Sequence, residues 1–253
     1  MDQSASFGHL LAIGTTIISV VILVSLAHFR PGAWITPVCW LLAAILVGAE
    51  VSWQVIQWRG LIDEPDIPTT WGVSYSLPLY VCDVSAFVGA AALLSRKQIL
   101  VDVVWYWGLA GTLQGIATPD HPIAFPSYDW LEFYGTHIGV VVTAFWLVVG
   151  LGLHPRRRAA LRVVAISVGF IALVGLVDAL SGGDYDYLHT SSPPGLLHLL
   201  GPWPWYVFAA TGVGLLSILI VDLPFWPERR RARRRGAAAG PAAQGTVRSS
   251  APG

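Results

Sequence analysis

Long apolar runs separated by short polar breaks make up most of this chain. Windows of about 20 mainly apolar residues, the length a membrane-spanning helix needs, fall at about 9–29, 33–57, 76–95, 99–118, 131–153, 160–181 and 203–226. The pattern predicts an all-α, polytopic membrane protein of seven transmembrane helices. Residues 1–227 would form the membrane domain and 228–253 a tail. Seven spans leave almost no room for a soluble domain. Before the first run stand only Met1 to Gly8, with no basic segment and no small-residue cleavage site, so a retained helix is expected rather than a signal peptide. Neither a solenoid-period repeat nor a duplicated half is visible.

Composition agrees with the pattern. The 253 residues are 55% hydrophobic and 12% charged, with a mean hydropathy of +0.62, whereas soluble domains carry roughly 25% charged residues. A net charge of zero hides segregation. With the N-terminus outside, fourteen of the fifteen Lys and Arg fall inside: Arg30, Arg96, Lys97, Arg156, Arg157, Arg158, Arg162 and the arginines after Trp226. Only Arg59 lies outside, so the positive-inside rule gives an outer N-terminus and a cytoplasmic C-terminus. The run PERRRARRR would meet anionic inner-leaflet lipid, at about 1 kcal/mol per charge near the surface, and not nucleic acid. Beyond it, GAAAGPAAQGTVRSSAPG reads as disordered tail. An Arg- and Ala-rich, Lys-poor composition points to a bacterial genome and hence a plasma membrane. Nothing in the sequence gives an oligomeric state.

The second, fourth and sixth loops are long and rich in proline, aromatics and carboxylates, as in PDHPIAFPSYDW. Their Trp71, Tyr75, Tyr128, Trp130, Tyr134, Trp203, Trp205 and Tyr206 read as an interfacial belt of amphipathic rings. Gly111 and Gly115 form a GxxxG assigned to packing between helices. Cys39 and Cys82 belong to opposite membrane depths, too far apart for a disulfide.

Polar groups within the spans are few and costly in hydrocarbon, so they mark a buried site. Glu50 stands seven positions before the outer end of helix two, Cys82 and Asp83 six or seven positions into helix three, and Gln114 four before the end of helix four. His137 lies six positions into helix five and Asp178 three before the outer end of helix six. At about 1.5 Å per residue, all six fall near one depth and imply a shared outward-facing polar pocket. Asp102 and Asp222 lie at the inner ends and read as interfacial carboxylates that reach water. A thiol with a neighbouring imidazole is a nucleophile with a base, so Cys82 and His137 form a candidate acyl-transfer dyad. Asp83 or Glu50 would orient the imidazole, and Gln114 would face an oxyanion. Other readings stay open: a packing cysteine, a histidine bonded across helices, or Glu50 with Asp178 as a transporter's proton or cation site. No metal site is expected, because His121, His189 and His198 lie in outer loops without ligand spacing.

Four strings carry a resemblance: SLPLYVCDVSAF, WYWGLAGTLQGIATPD, FYGTHIGVVV, and GDYDYL followed by GPWPWY. In this order they resemble the YwaF-like family of bacterial integral membrane proteins over about residues 40–225. That family is similar to animal transmembrane lipid acyltransferases, in which a membrane cysteine accepts an acyl chain from one phospholipid and passes it to a lysophospholipid, with a histidine nearby. The resemblance implies Cys82 as that nucleophile and His137 as that histidine. The family's Asn-Tyr pair stands here as Asp184-Tyr185, and its histidine two before the cysteine as Tyr80. The expected function is therefore an acyltransferase or transacylase acting on membrane phospholipids without a cofactor, with Tyr185, Trp203 and Tyr206 at the headgroups. The alternatives are a small-solute or proton-coupled transporter using Glu50 and Asp178, or a sensor or assembly protein without chemistry.

Overall fold

The computed structural model describes residues 3–63, 74, 76–119, 123–189, 195–227 and 229–231. Every regular element among them is helical. The apolar helices are α1 Gln3–Phe29, α2 Ile35–Asp63, α3 Val81–Ser95, α4 Gln98–Ala117, α5 Tyr128–Gly150, α6 Ala159–Ser181 and α7 Trp205–Phe225. Two 3-10 segments, Tyr185–Tyr187 and Gly195–Leu200, lie between α6 and α7. Six of the helices are long and apolar enough to cross a membrane, and α3 is a shorter apolar helix. Trp71, Tyr75, Asp120, His121 and the tail beyond residue 231 lie outside the described residues.

Helix α3 has 15 residues, about 22 Å at 1.5 Å per residue, against a hydrocarbon core of about 30 Å. It starts at Val81 rather than at 76 for two reasons. Pro78 disfavours helical backbone at Leu77, and the Val81 N–H is satisfied from outside the helix by Asp186 Oδ1 at 3.0 Å. Cys82 and Asp83 therefore sit in the first turn of α3, not two turns into it. At its other end α3 stops on Arg96, which is left-handed (φ 52), and α4 begins two residues later. A π-turn at Gly108–Thr112 interrupts α4, and another, Trp146–Gly150, ends α5.

Helices α4 and α5 form the centre: 56% and 67% of their most apolar windows are buried, against 17% for α1, α6 and α7. Helix α2 packs on α3 and α5, and α3 on α4 and α5. Lipid is as apolar as these side chains, so helix association rests on close packing. Leu46 of α2 fits between Gly89 of α3 and Gly139 of α5, where a Cβ at Gly139 would lie 2.8 Å from Leu46 Cδ2. The outer helices turn Leu10, Ile17, Leu173, Leu180, Leu216 and Ile220 outward, the apolar surface that lipid requires.

The end of the bundle that carries the basic residues is braced by two buried carboxylates. Asp102 and Asp222 do not reach water as expected. Asp102 accepts from Gln98 Nε2 at 2.9 Å and pairs with Arg162 at 2.9 Å. Asp222 accepts from Tyr106, from Trp226 Nε1 at 2.8 Å and from Arg229 Nη1 at 2.8 Å. The aromatic belt is also narrower than expected. Tyr128, Trp203 and Trp205 are exposed, but Trp130, Tyr134 and Tyr206 are buried. Cys39 and Cys82 are both free thiols, Cys39 buried beneath Trp146.

Candidate functional site

At the opposite end of the bundle, where α2 and α4 finish and α3 and α5 begin, lies a cavity of about 170 Å³. Helix α2 contributes Trp53 and Gln54, the start of α3 contributes Cys82 and Asp83 below Tyr80, α5 contributes Glu132, Thr136 and His137, and Tyr187 enters from the loop after α6. The expected thiol and imidazole thus line one cavity.

His137 is held from two sides. Its Nδ1 lies 2.7 Å from the Phe133 carbonyl oxygen, and its ring stacks on Phe133 with centroids 4.1 Å apart. A carbonyl only accepts, so Nδ1 carries the hydrogen and, in the neutral ring, Nε2 is the basic nitrogen. The Phe133 backbone carbonyl therefore orients the ring. The other edge of the ring lies against Gly115 of α4, where a Cβ would stand 2.6 Å from Cδ2 and 2.7 Å from Nε2. The GxxxG expected to pack helices therefore serves at Gly115 to admit the imidazole.

Cys82, half-buried, donates its thiol hydrogen to Asp83 Oδ1 at 3.4 Å. Glu50 is buried behind the cavity wall, where its Oε1 accepts from Gln54 Nε2 at 3.4 Å, and it lies close enough to Asp83 and Glu132 for the charges to repel. Thr136 donates to Glu132 Oε1 at 3.3 Å. Two residues expected in the pocket are elsewhere. Gln114 is exposed and turns back to the Ala110 carbonyl at 3.5 Å. Asp178 is buried against the loop after α6, with Oδ1 accepting the Tyr185 N–H at 3.0 Å. Glu50 and Asp178 therefore do not share a site.

The loop after α6 is the roof. Tyr185 is fully buried, its hydroxyl accepts the Leu77 N–H at 2.8 Å, and its ring meets Tyr80 edge-on at 5.6 Å. Tyr187 packs on Tyr80 at 5.9 Å, and the Tyr206 hydroxyl donates to the Tyr187 carbonyl. Tyr185 and Tyr206 thus hold the roof in place instead of facing headgroups; Trp203 is exposed and donates to Leu188 O at 3.2 Å. Burial, then the carboxylates Asp83, Asp186 and Asp184, push the Tyr80 phenol well above its ordinary range, so it stays a neutral hydroxyl. Burial likewise pushes Asp186 up to about 7, against the opposing hydrogen bond from Val81.

Beneath the roof runs a second space, an apolar groove of about 370 Å³ between α4, α6 and α7, lined by side chains such as Trp107, Val168, Phe170, Ile171, Ala210 and Leu215. Tyr187 lines both spaces, and the consecutive residues Val81 and Cys82 line one each.

The family model described as the TMEM164 family matches residues 4–222, which takes in the cavity, its roof and the groove. The chain belongs to the TMEM164 family. The match is to this family and not specifically to the YwaF-like set that the strings resemble. No curated protein and no solved structure matches the chain. As a member of the TMEM164 family with six helices able to span a bilayer, it is a multi-pass membrane protein. Trp53, Gln54, Glu132, Thr136 and Tyr187 are among the cavity residues that sequence reasoning missed. The i, i+4 pair Glu132–Thr136, one position before Phe133–His137, was the available signal for two of them.

Proposed function

We propose that the protein is a lipid acyltransferase or transacylase with Cys82 as nucleophile and His137 as base and acid. The observation that carries the reading is the shared wall: a polar cavity holding a thiol and an imidazole borders, at Tyr187 and Val81–Cys82, an apolar groove of ligand size. A phospholipid ester has the same two halves. Its acyl chain would lie in the groove and its ester carbonyl at the cavity.

In the first half-reaction the Cys82 sulfur forms a bond to the ester carbonyl carbon, and the carbon–oxygen ester bond breaks. The thiol proton passes through His137 Nε2 to the departing lysolipid oxygen. In the second, a lysolipid hydroxyl gives its proton to His137 and attacks the thioester, and Cys82 leaves and regains the proton. Placement in the first turn of α3 sets Cys82 beside backbone N–H groups that have no partner within the helix, suitable donors to a tetrahedral oxyanion. The same reading keeps the N-terminus and cavity outside, the protein in the plasma membrane, and the basic tail on anionic inner-leaflet lipid.

The test is intact-protein mass spectrometry after incubation with phospholipid vesicles, comparing wild type with Cys82→Ala and His137→Ala. A fatty-acyl adduct in wild type, absent from both variants, is expected. No adduct at any pH, with vesicle lipids unchanged, would remove the covalent mechanism.

A further inference from the structure

Outside the cavity, the loop after α6 folds Asp178, Asp184 and His189 together, with one donor atom from each lying within 4.8 Å of the others. Clustered acids alone signify little, but Asp178 is unusual. Its side chain is 0% exposed; Oδ1 is taken by the Tyr185 N–H, and Oδ2 has no hydrogen-bond partner. Oδ2 faces His189 Nδ1 at 3.6 Å, too far for a hydrogen bond. A tetrahedral ion with bonds of about 2.0–2.1 Å holds its ligands about 3.4 Å apart, close to that spacing. The Asp184 carboxylate is brought beside the imidazole because its Oδ1 accepts the His189 backbone N–H at 2.6 Å. Asp186 adds a third carboxyl near Asp178.

We propose that Asp178, Asp184 and His189 bind one first-row divalent metal ion, zinc fitting best, which clasps the roof loop to the end of α6. Imidazole in the donor set selects zinc-like ions over calcium and magnesium, which take oxygen ligands. Three protein ligands leave a fourth position for water. The ion would act on the roof rather than on the reaction. Asp178 stands in the last turn of α6, and the loop it holds carries Tyr185 to Leu77, Asp186 to the first N–H of α3 and Tyr187 to the cavity wall. Metal binding would therefore stabilise the turn of α3 that bears Cys82.

The experiment uses the full chain in detergent micelles with any affinity tag removed, stripped with chelator and then given zinc chloride, or calcium or magnesium chloride for comparison. Bound metal is measured by mass spectrometry after desalting, and thermal unfolding is followed in parallel. Wild type should retain about one zinc per chain and unfold at higher temperature with zinc than without it; calcium and magnesium should do neither. Asp178→Asn and His189→Ala should each weaken zinc binding at least about tenfold, while His198→Ala should not. His189 is 46% exposed, so its replacement leaves packing intact and keeps the test valid if Asp178→Asn fails to fold. Substoichiometric zinc, or equal zinc in wild type and His189→Ala, would mean an adventitious ion only and leave a plain Asp178–His189 ion pair. Neither readout involves acyl transfer, so this inference and the proposed function fail separately.

Discussion

Gly115→Ala is the smallest change that tests the placement of His137. The added methyl would start 2.6 Å from Cδ2 and 2.7 Å from Nε2, while carbon atoms rest at about 3.5–4.0 Å. Either the ring or α4 must yield by about 1 Å. The ring is fixed on its far side by the 2.7 Å bond to Phe133 O and by the 4.1 Å stack on Phe133, so moving it sacrifices a bond worth about 0.5–1.5 kcal/mol net. Overpacking in a filled interior adds about 1–3 kcal/mol. A stability loss of about 2–4 kcal/mol is expected from the two together. A 1 Å misplacement of a catalytic group costs about 10²-fold in rate, so acyl-adduct formation should slow by about that factor. Thermal unfolding in micelles and the time course of the adduct measure the two effects. If the variant keeps wild-type adduct kinetics while losing stability, His137 takes no part in proton transfer; if it loses neither, the ring does not lie against Gly115.

Three further outcomes follow from the same geometry. Arg229→Ala removes the 2.8 Å and 3.0 Å bonds to Asp222; with Arg229 22% exposed, the cost should sit below the 3–5 kcal/mol of a fully buried pair, at about 2–3 kcal/mol, and Asp222→Asn in the same chain should restore part of it in chemical or thermal unfolding. Ala210→Trp fills the apolar groove, so mass spectrometry should show shorter acyl adducts than wild type; an unchanged chain distribution would separate groove from substrate. A membrane-impermeant maleimide applied to intact cells should label Cys82 and spare Cys39, which is 2% exposed; labelling of Cys82 only in inverted vesicles would reverse the proposed orientation.

The helices were legible because hydropathy along the chain reports the solvent directly, and lipid as solvent demands long apolar runs. What hydropathy misplaced was the start of α3. SLPLY is apolar enough to read as helix, yet Pro78 and a cap supplied by Asp186, 105 residues away, put the first turn at Val81. Depth reasoning found Cys82, Asp83 and His137, but depth fixes only height along a helix. Gln114 stands near the right height and faces away from the cavity, and Asp178 turns toward its own loop. The roof was illegible for a different reason: Tyr187 reaches the cavity, and His189 reaches Asp178, through a turn with left-handed residues at 186 and 187 that no periodicity announces.

The two ends of the bundle treat buried carboxylates differently, and that difference can be tested. At the basic end Asp102 and Asp222 each have an arginine, the arrangement expected where charge serves structure. Around the cavity Glu50, Asp83 and Glu132 repel one another, and no Lys or Arg pairs with them among the described residues. Glu50 is the most buried of them, 1% exposed, with one long bond from Gln54 at 3.4 Å. Carboxylates gathered without a counter-ion lower stability, and a site of this kind is kept when function needs it. Glu50→Gln preserves shape and removes the repulsion, so it should raise stability by about 0.5–2 kcal/mol, read as a higher unfolding temperature, while slowing adduct formation at the thiol beside Asp83. A variant less stable than wild type would show that the Glu50 carboxyl is a structural partner after all; one that is more stable and fully active would show that this carboxyl takes no part in the cavity's chemistry.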